Sequence, residues 1–176
     1  VLDPCYDSYE PAIELNGGHA VHVPLDPDDF TPDWQRIEAA VTPRTRMILV
    51  NTPHNPCGSV FNEGDLDALE GLARRHDLLV LSDEVYEHIV FDGALHQGVL
   101  RHAELAERSF VVSSFGKTYH CTGWKVGYCV APRALSAEFR KVHQYMTFCT
   151  FTPAQWALAE ILEKDQQHYL DLPSFY

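Results

Sequence analysis

Short apolar runs alternate along the chain with segments whose apolar positions recur every three or four residues. Arg46 to Asn51 (RMILVN), Leu78 to Ser82 (LLVLS), Phe110 to Ser114 (FVVSS) and Val126 to Ala131 (VGYCVA) are short, rich in β-branched or aromatic residues and bounded by turn formers, which predicts strands. His19 to Val23 (HAVHV) is a further strand candidate, and Val1-Leu2-Asp3-Pro4 reads as the tail of a strand entering a turn. Helices are predicted over 33–40, over 62–76 with Leu66, Leu69, Leu72 and Ala73 on one face, over 134–145, and over 153–169. The last of these has Thr152 at its cap and Pro153 at its first position, where proline's missing N–H costs nothing. Strands apolar on both faces and separated by helices predict an α/β fold with a mostly parallel sheet covered by helices. No repeat, low-complexity tract or linker marks a boundary inside the chain.

Composition narrows the function. Thirteen basic against 25 acidic residues leave a net charge of −12, which argues against a nucleic acid or anionic lipid partner. The longest apolar runs fall far below the ~18 residues of a membrane-spanning helix. The five cysteines include no Cys-x-x-Cys pair, and an odd count favours free thiols and a cytoplasmic setting.

In an open α/β sheet, ligands bind at the carboxyl ends of the strands. Three successive ends carry polar chemistry: Asn51-Thr52-Pro53-His54-Asn55-Pro56-Cys57-Gly58, then Ser82-Asp83-Glu84-Val85-Tyr86, then Ser113-Ser114-Phe115-Gly116-Lys117. One such loop is ordinary turn and capping chemistry; three in a row predict a single site. Of only four lysines, Lys117 and Lys125 stand eight residues apart among Gly116, Gly123 and Gly127, an arrangement suited to an anion and to amine chemistry at a carbonyl. His19, His22, His54 and His120 show no convincing metal-site spacing, so no metal is expected. Cys57, Cys121, Trp124 and Trp156 read as packing residues.

Together the Asn-Pro-x-Gly, Ser-Asp-Glu-Val-Tyr and Ser-Phe-Gly-Lys-Thr-Tyr-x-x-Thr-Gly-Trp-Lys-Val-Gly segments resemble the fold-type-I aminotransferases that use pyridoxal 5′-phosphate, class I/II branch. The likeness runs from Asp3-Pro4-Cys5-Tyr6-Asp7-Ser8-Tyr9 to Thr150-Phe151-Thr152-Pro153-Ala154-Gln155 and is greatest to methionine, glutamine or kynurenine aminotransferases. It implies a three-layer α/β/α large domain, incomplete here, in a homodimeric enzyme acting on small amino acids and 2-oxo acids. It also implies roles. Lys117 bonds the cofactor aldehyde and carries protons, Asp83 holds the ring nitrogen protonated, and Asn55 and Tyr86 hydrogen-bond the phenolic oxygen. Tyr6 stacks on the ring, and Ser114 and Lys125 bind the phosphate. The stretch 144–151 (QYMTFCTF), near the partner subunit's site in relatives, lacks an arginine for an acidic substrate. Neutral sulfur or aromatic amino acids are therefore expected. A carbon–sulfur β-lyase, another reaction on the same scaffold, or an aminotransferase-like regulator domain remains the alternative. Residues 1–176 are expected to be the central part of the large domain, without its N-terminal segment and C-terminal small domain, and inactive alone.

Overall fold

In the computed structural model, which describes residues 1–176, the chain enters through β1 (Leu2–Asp3), turns into α1 (Tyr9–Leu15) and returns through β2 (Val23–Pro24), parallel to β1. After α2 (Trp34–Ala39) come β3 (Met47–Asn51), α3 (Glu63–Arg75) and β4 (Leu79–Asp83). The short α4 (Ala103–Ala106) precedes β5 (Ser109–Ser114), and the single turn α5 (Phe115–Thr118) leads toward β6 (Gly127–Val130). Three helices follow: α6 (Arg133–Met146), α7 (Thr152–Lys164) and α8 (Gln167–Phe175). The main sheet has the order β3-β4-β5-β6.

Helix α3 anchors the core. Asn62 caps it by accepting from the Asp65 amide at 3.1 Å while the Asp65 carboxylate accepts from the Asn62 amide at 2.9 Å. Its apolar face, Leu66, Leu69, Leu72 and Ala73, is fully buried and shares one cluster with Val50, Val80 and Val111 of the sheet. Each large aliphatic side chain so buried contributes roughly 1.5–3 kcal/mol.

The α/β expectation holds, with five differences. β6 runs antiparallel to β5, because the connection is one helical turn and a 3-10 turn (Thr122–Trp124) that stay at the carboxyl end of the sheet instead of crossing back. In β4 and β5 burial alternates: Val80, Ser82, Ser109, Val111 and Ser113 are buried, whereas Leu79, Leu81, Phe110 and Val112 are half-buried. One face is therefore only partly covered, with an apolar recess of about 490 Å³ against Leu49 and Leu81. The long helix expected over 153–169 breaks between α7 and α8, where the Asp165 carboxylate accepts from the His168 amide at 3.2 Å. In the 19–23 run only Val23 lies in a strand, and α1 was not signalled by the sequence pattern.

Candidate active site

Strand register brings the polar ends together. Asn51 at the end of β3 is opposite Asp83 at the end of β4, and Ser114 at the end of β5 is opposite Gly127 of β6. Asn51 is buried and satisfied twice: its Nδ2 donates to the Asp83 carbonyl at 2.8 Å and its Oδ1 accepts from the Asn55 amide at 2.7 Å. This one side chain holds the Asn55 loop against the strand that carries Asp83. The Asn55 side chain itself makes no hydrogen bond within the chain and lines a cleft with Tyr86.

The Asp83 carboxylate accepts from the Tyr9 hydroxyl at 2.7 Å and from the Val85 amide at 3.2 Å, and has no cationic partner. Burial, reinforced by the adjacent Asp83 charge, pushes the Tyr9 phenol far above its ordinary range, so Tyr9 remains a donor. Tyr6 is 45% exposed and meets Tyr9 edge to face, with centroids 5.6 Å apart. Across the site, Lys117 Nζ lies 5.7 Å from the centre of the Tyr86 ring.

Lys117 rides on α5, the turn that leaves β5 directly. Ser114 caps that turn: its Oγ accepts from the Gly116 amide at 3.0 Å and lies 3.4 Å from the Val126 carbonyl. The glycines are dictated by close backbone approach, since a Cβ on Gly116 would meet the Thr122 Cα at 2.8 Å and one on Gly127 the Ser113 carbonyl oxygen at 2.6 Å. The chain turns at Lys125, which adopts a left-handed φ of 55°. Lys141 and Lys164 pair with Glu138 and Glu160 at 2.7 and 2.5 Å, whereas Lys117 and Lys125 pair with no acid. In a chain of charge −12, the two lysines of the strand-end motif are the two left free.

The structure thus gathers Asn55, Asp83, Tyr86, Ser114 and Lys117 around the strand ends, with Tyr6 beside Tyr9 and Lys125 on the turn entering β6. Sequence reasoning missed Tyr9 and Asn51. Tyr9 is signalled only by its three-residue spacing from Tyr6, and Asn51 by being the polar end of an apolar run. It also missed a polar shell behind the site. Glu84 is buried and accepts from Ser82 Oγ at 2.8 Å and the Val99 amide at 3.0 Å, with His96 Nε2 at 2.8 Å. Glu84, Glu87 and His96 bring ligating atoms within 4.8 Å, as do Asp3, Cys5 and His22, groupings that sequence spacing did not reveal. Trp124 and Trp156 are 52% and 73% exposed, correcting their reading as core residues: the 3-10 turn and the outer face of α7 turn them outward. His54 is buried beside the site, and desolvation lowers its pKa.

A family model described as aminotransferase class I and II matches residues 1–173. The chain is 55% identical over 175 residues to the methionine aminotransferase of Escherichia coli, covering 99% of this chain and 45% of that protein. It is 35% identical to kynurenine–oxoglutarate transaminase 1 of Rattus norvegicus, covering 100% of this chain and 44% of that one. A solved Escherichia coli structure described as having a methionine aminotransferase function superposes with a TM-score of 0.96 at 55% identity, over 99% of this chain and 46% of its own. The chain therefore spans less than half the length of these relatives.

Proposed function

The chain belongs to the class I and II aminotransferases, whose cofactor is pyridoxal 5′-phosphate, and from that premise we propose that it is the cofactor-holding part of an enzyme that transfers amino groups between an L-amino acid and a 2-oxo acid. The donor set fits the cofactor: a carboxylate without a cation (Asp83), two ammonium groups without an acid (Lys117 and Lys125), and an amide (Asn55) and a phenol (Tyr86) sharing one cleft. The free state of Lys117 and Lys125 is the observation that carries the reading.

When bound, the cofactor supplies an electron-withdrawing ring that stabilises charge at the substrate Cα. The residues do the rest. Asp83, kept in place by Tyr9 and the Val85 amide, pairs with a protonated ring nitrogen and so keeps the ring electron-poor. Asn55 and Tyr86 donate to the phenolic oxygen, and Tyr6 offers an aromatic face to the ring. Lys125, with the hydroxyl of Ser114, attracts the phosphate. Lys117 Nζ, free of ion pairs, would anchor the aldehyde and, once the substrate amine had displaced it, would take and return the proton at the substrate Cα.

Neutral sulfur or aromatic amino acids are the proposed donors, supported by the arginine-free stretch 144–151 and by the likeness to methionine and kynurenine enzymes. A homodimer is part of the same reading: Tyr145, Met146, Phe148, Phe151 and Trp156 leave a large apolar surface exposed. A cytoplasmic setting is supported by five cysteines that are all free thiols. No helix is long and apolar enough to cross a membrane. Residues 1–176 are proposed to be the central part of the large domain, with the N-terminal segment and the small domain lying outside them.

The test is borohydride reduction of the complete protein loaded with pyridoxal 5′-phosphate, followed by peptide mapping. The pyridoxyl group is expected on Lys117, with none trapped in Lys117→Ala. A label on another lysine, or trapping that survives the substitution, overturns the assignment. Pyruvate and ammonia released without an oxo-acid acceptor would instead identify a β-lyase.

A further inference from the structure

Tyr86 sits in a tight turn between two carboxylates, and both are tied to other parts of the fold. Glu84 is held from behind by Ser82, the Val99 amide and His96. Glu87, on the other side of Tyr86, reaches the opposite edge of the site: its Oε1 accepts from the Tyr128 hydroxyl at 2.5 Å and from Ser113 Oγ at 3.2 Å. Ser113 and Tyr128 are cross-strand partners in β5 and β6, one residue from the Ser114 and Gly127 pair at the strand ends. The Tyr128 ring also packs on Phe115, the first residue of the turn that carries Lys117, with centroids 5.2 Å apart. One tyrosine therefore touches the Lys117 turn with its ring and the Tyr86 turn with its hydroxyl, three residues after Lys125.

We propose that Glu87 and Tyr128 form a positioning clamp that sets Tyr86 relative to Lys117, so that the hydrogen bond from Tyr86 to the cofactor's phenolic oxygen depends on a bond outside the ligand's contact shell. The inference rests on the pyridoxal 5′-phosphate reading of the site. Its physical basis is the pair's geometry: the Tyr128 hydroxyl donates to a charged oxygen that also accepts from Ser113 Oγ and lies 3.9 Å from His88 Nε2, with the Glu87 side chain 24% and Tyr128 38% exposed. Burial, followed by the neighbouring Glu87, pushes the Tyr128 phenol up to about 12, so it stays protonated and donates throughout the working range of an enzyme. Glu87 and Tyr128 are positioning residues, since neither belongs to the set that holds the cofactor.

The experiment is a pH titration of the cofactor's visible absorption in the complete protein loaded with pyridoxal 5′-phosphate, with thermal melting measured alongside. Tyr128→Phe keeps the ring on Phe115 and deletes only the hydroxyl. A donor aimed at the phenolic oxygen stabilises its negative charge and weakens that oxygen's hold on the proton of the cofactor–lysine bond. Loss of aim should therefore raise the pH midpoint by about half a unit, about a threefold change in the proton-binding constant. Glu87→Ala should shift it likewise, Glu87→Gln less because its amide oxygen still accepts, and the Tyr128→Phe/Glu87→Ala pair no more than either alone. A fully additive double variant, or melting lowered with the midpoint unmoved, overturns the clamp. Should Tyr128→Phe fail to fold, the Glu87→Ala midpoint decides by the same criterion. Absence of the visible band in the unaltered protein overturns the reading of the site itself, which separates the two failures.

Discussion

Tyr9 donates to Asp83 at 2.7 Å from a half-buried position, and that hydrogen bond to a charged group is worth ~1.5–3 kcal/mol. Tyr9→Phe removes the donor while keeping the ring against Tyr6, leaving Asp83 with the Val85 amide alone. The complete protein should then hold pyridoxal 5′-phosphate about tenfold more weakly, as read by equilibrium dialysis, and unchanged affinity would remove Tyr9 from the site. His54 gives a pH-dependent outcome. It is buried and its pKa is lowered, first by desolvation, so the unfolded chain binds a proton on this residue more readily than the folded one. Its stabilising contribution is complete above the ordinary histidine value of about 6.5 and is lost as pH falls toward the folded value. The urea midpoint should therefore drop more between about pH 7.5 and 5 in the unaltered protein than in His54→Gln. At this scale the sequence named Lys117, Asp83, Asn55 and Tyr86 because their motifs are local. It was silent on Tyr9, because nothing in a sequence brings residue 9 to residue 83.

Helix α3 was legible almost to its ends because its periodic leucines are a local signal; the structure adds the Asn62 cap and the arginines of its last turn. Leu69 is fully buried in the middle of that face, so Leu69→Ala should cost about 3 kcal/mol in chemical denaturation, through lost transfer energy and the cavity left behind. Asn62→Ala, which removes one half of the capping box, should cost about 1 kcal/mol. Asp65 also accepts from the Trp34 indole at 2.9 Å, so the cap joins α3 to α2 as well. Strands were legible where apolar runs are long enough to pair, over 47–51, 79–83 and 109–114. The direction of β6 was not, because strand composition carries no sign and only the short path through α5 decides it. The break before α8 was hidden for a similar reason: Asp165 caps as readily as it continues, and the fold takes the capping option.

For the molecule as a whole, an acidic chain and the proposed binding of an anionic cofactor reconcile through placement. A chain of charge −12 repels an anionic cofactor at long range, yet leaves two lysines free of acids at the carboxyl edge of its sheet. With no arginine in the 144–151 stretch, the complete enzyme should favour methionine or an aromatic amino acid over aspartate by at least about tenfold in kcat/KM, a difference of about 1.4 kcal/mol. A preference for aspartate would overturn the substrate reading. Composition, periodicity and motif order were enough by themselves for the α/β class and the family resemblance, and they single out the residues proposed to hold the cofactor, because each is carried by neighbours in the chain. The tertiary structure alone decided that Tyr9 supports Asp83, that Asn51 joins two strand ends, and that Glu87 meets Tyr128. Those contacts join residues 74, 32 and 41 positions apart; strand register sets Asn51 beside Asp83 and Tyr128 beside Ser113, whereas Tyr9 reaches Asp83 from α1.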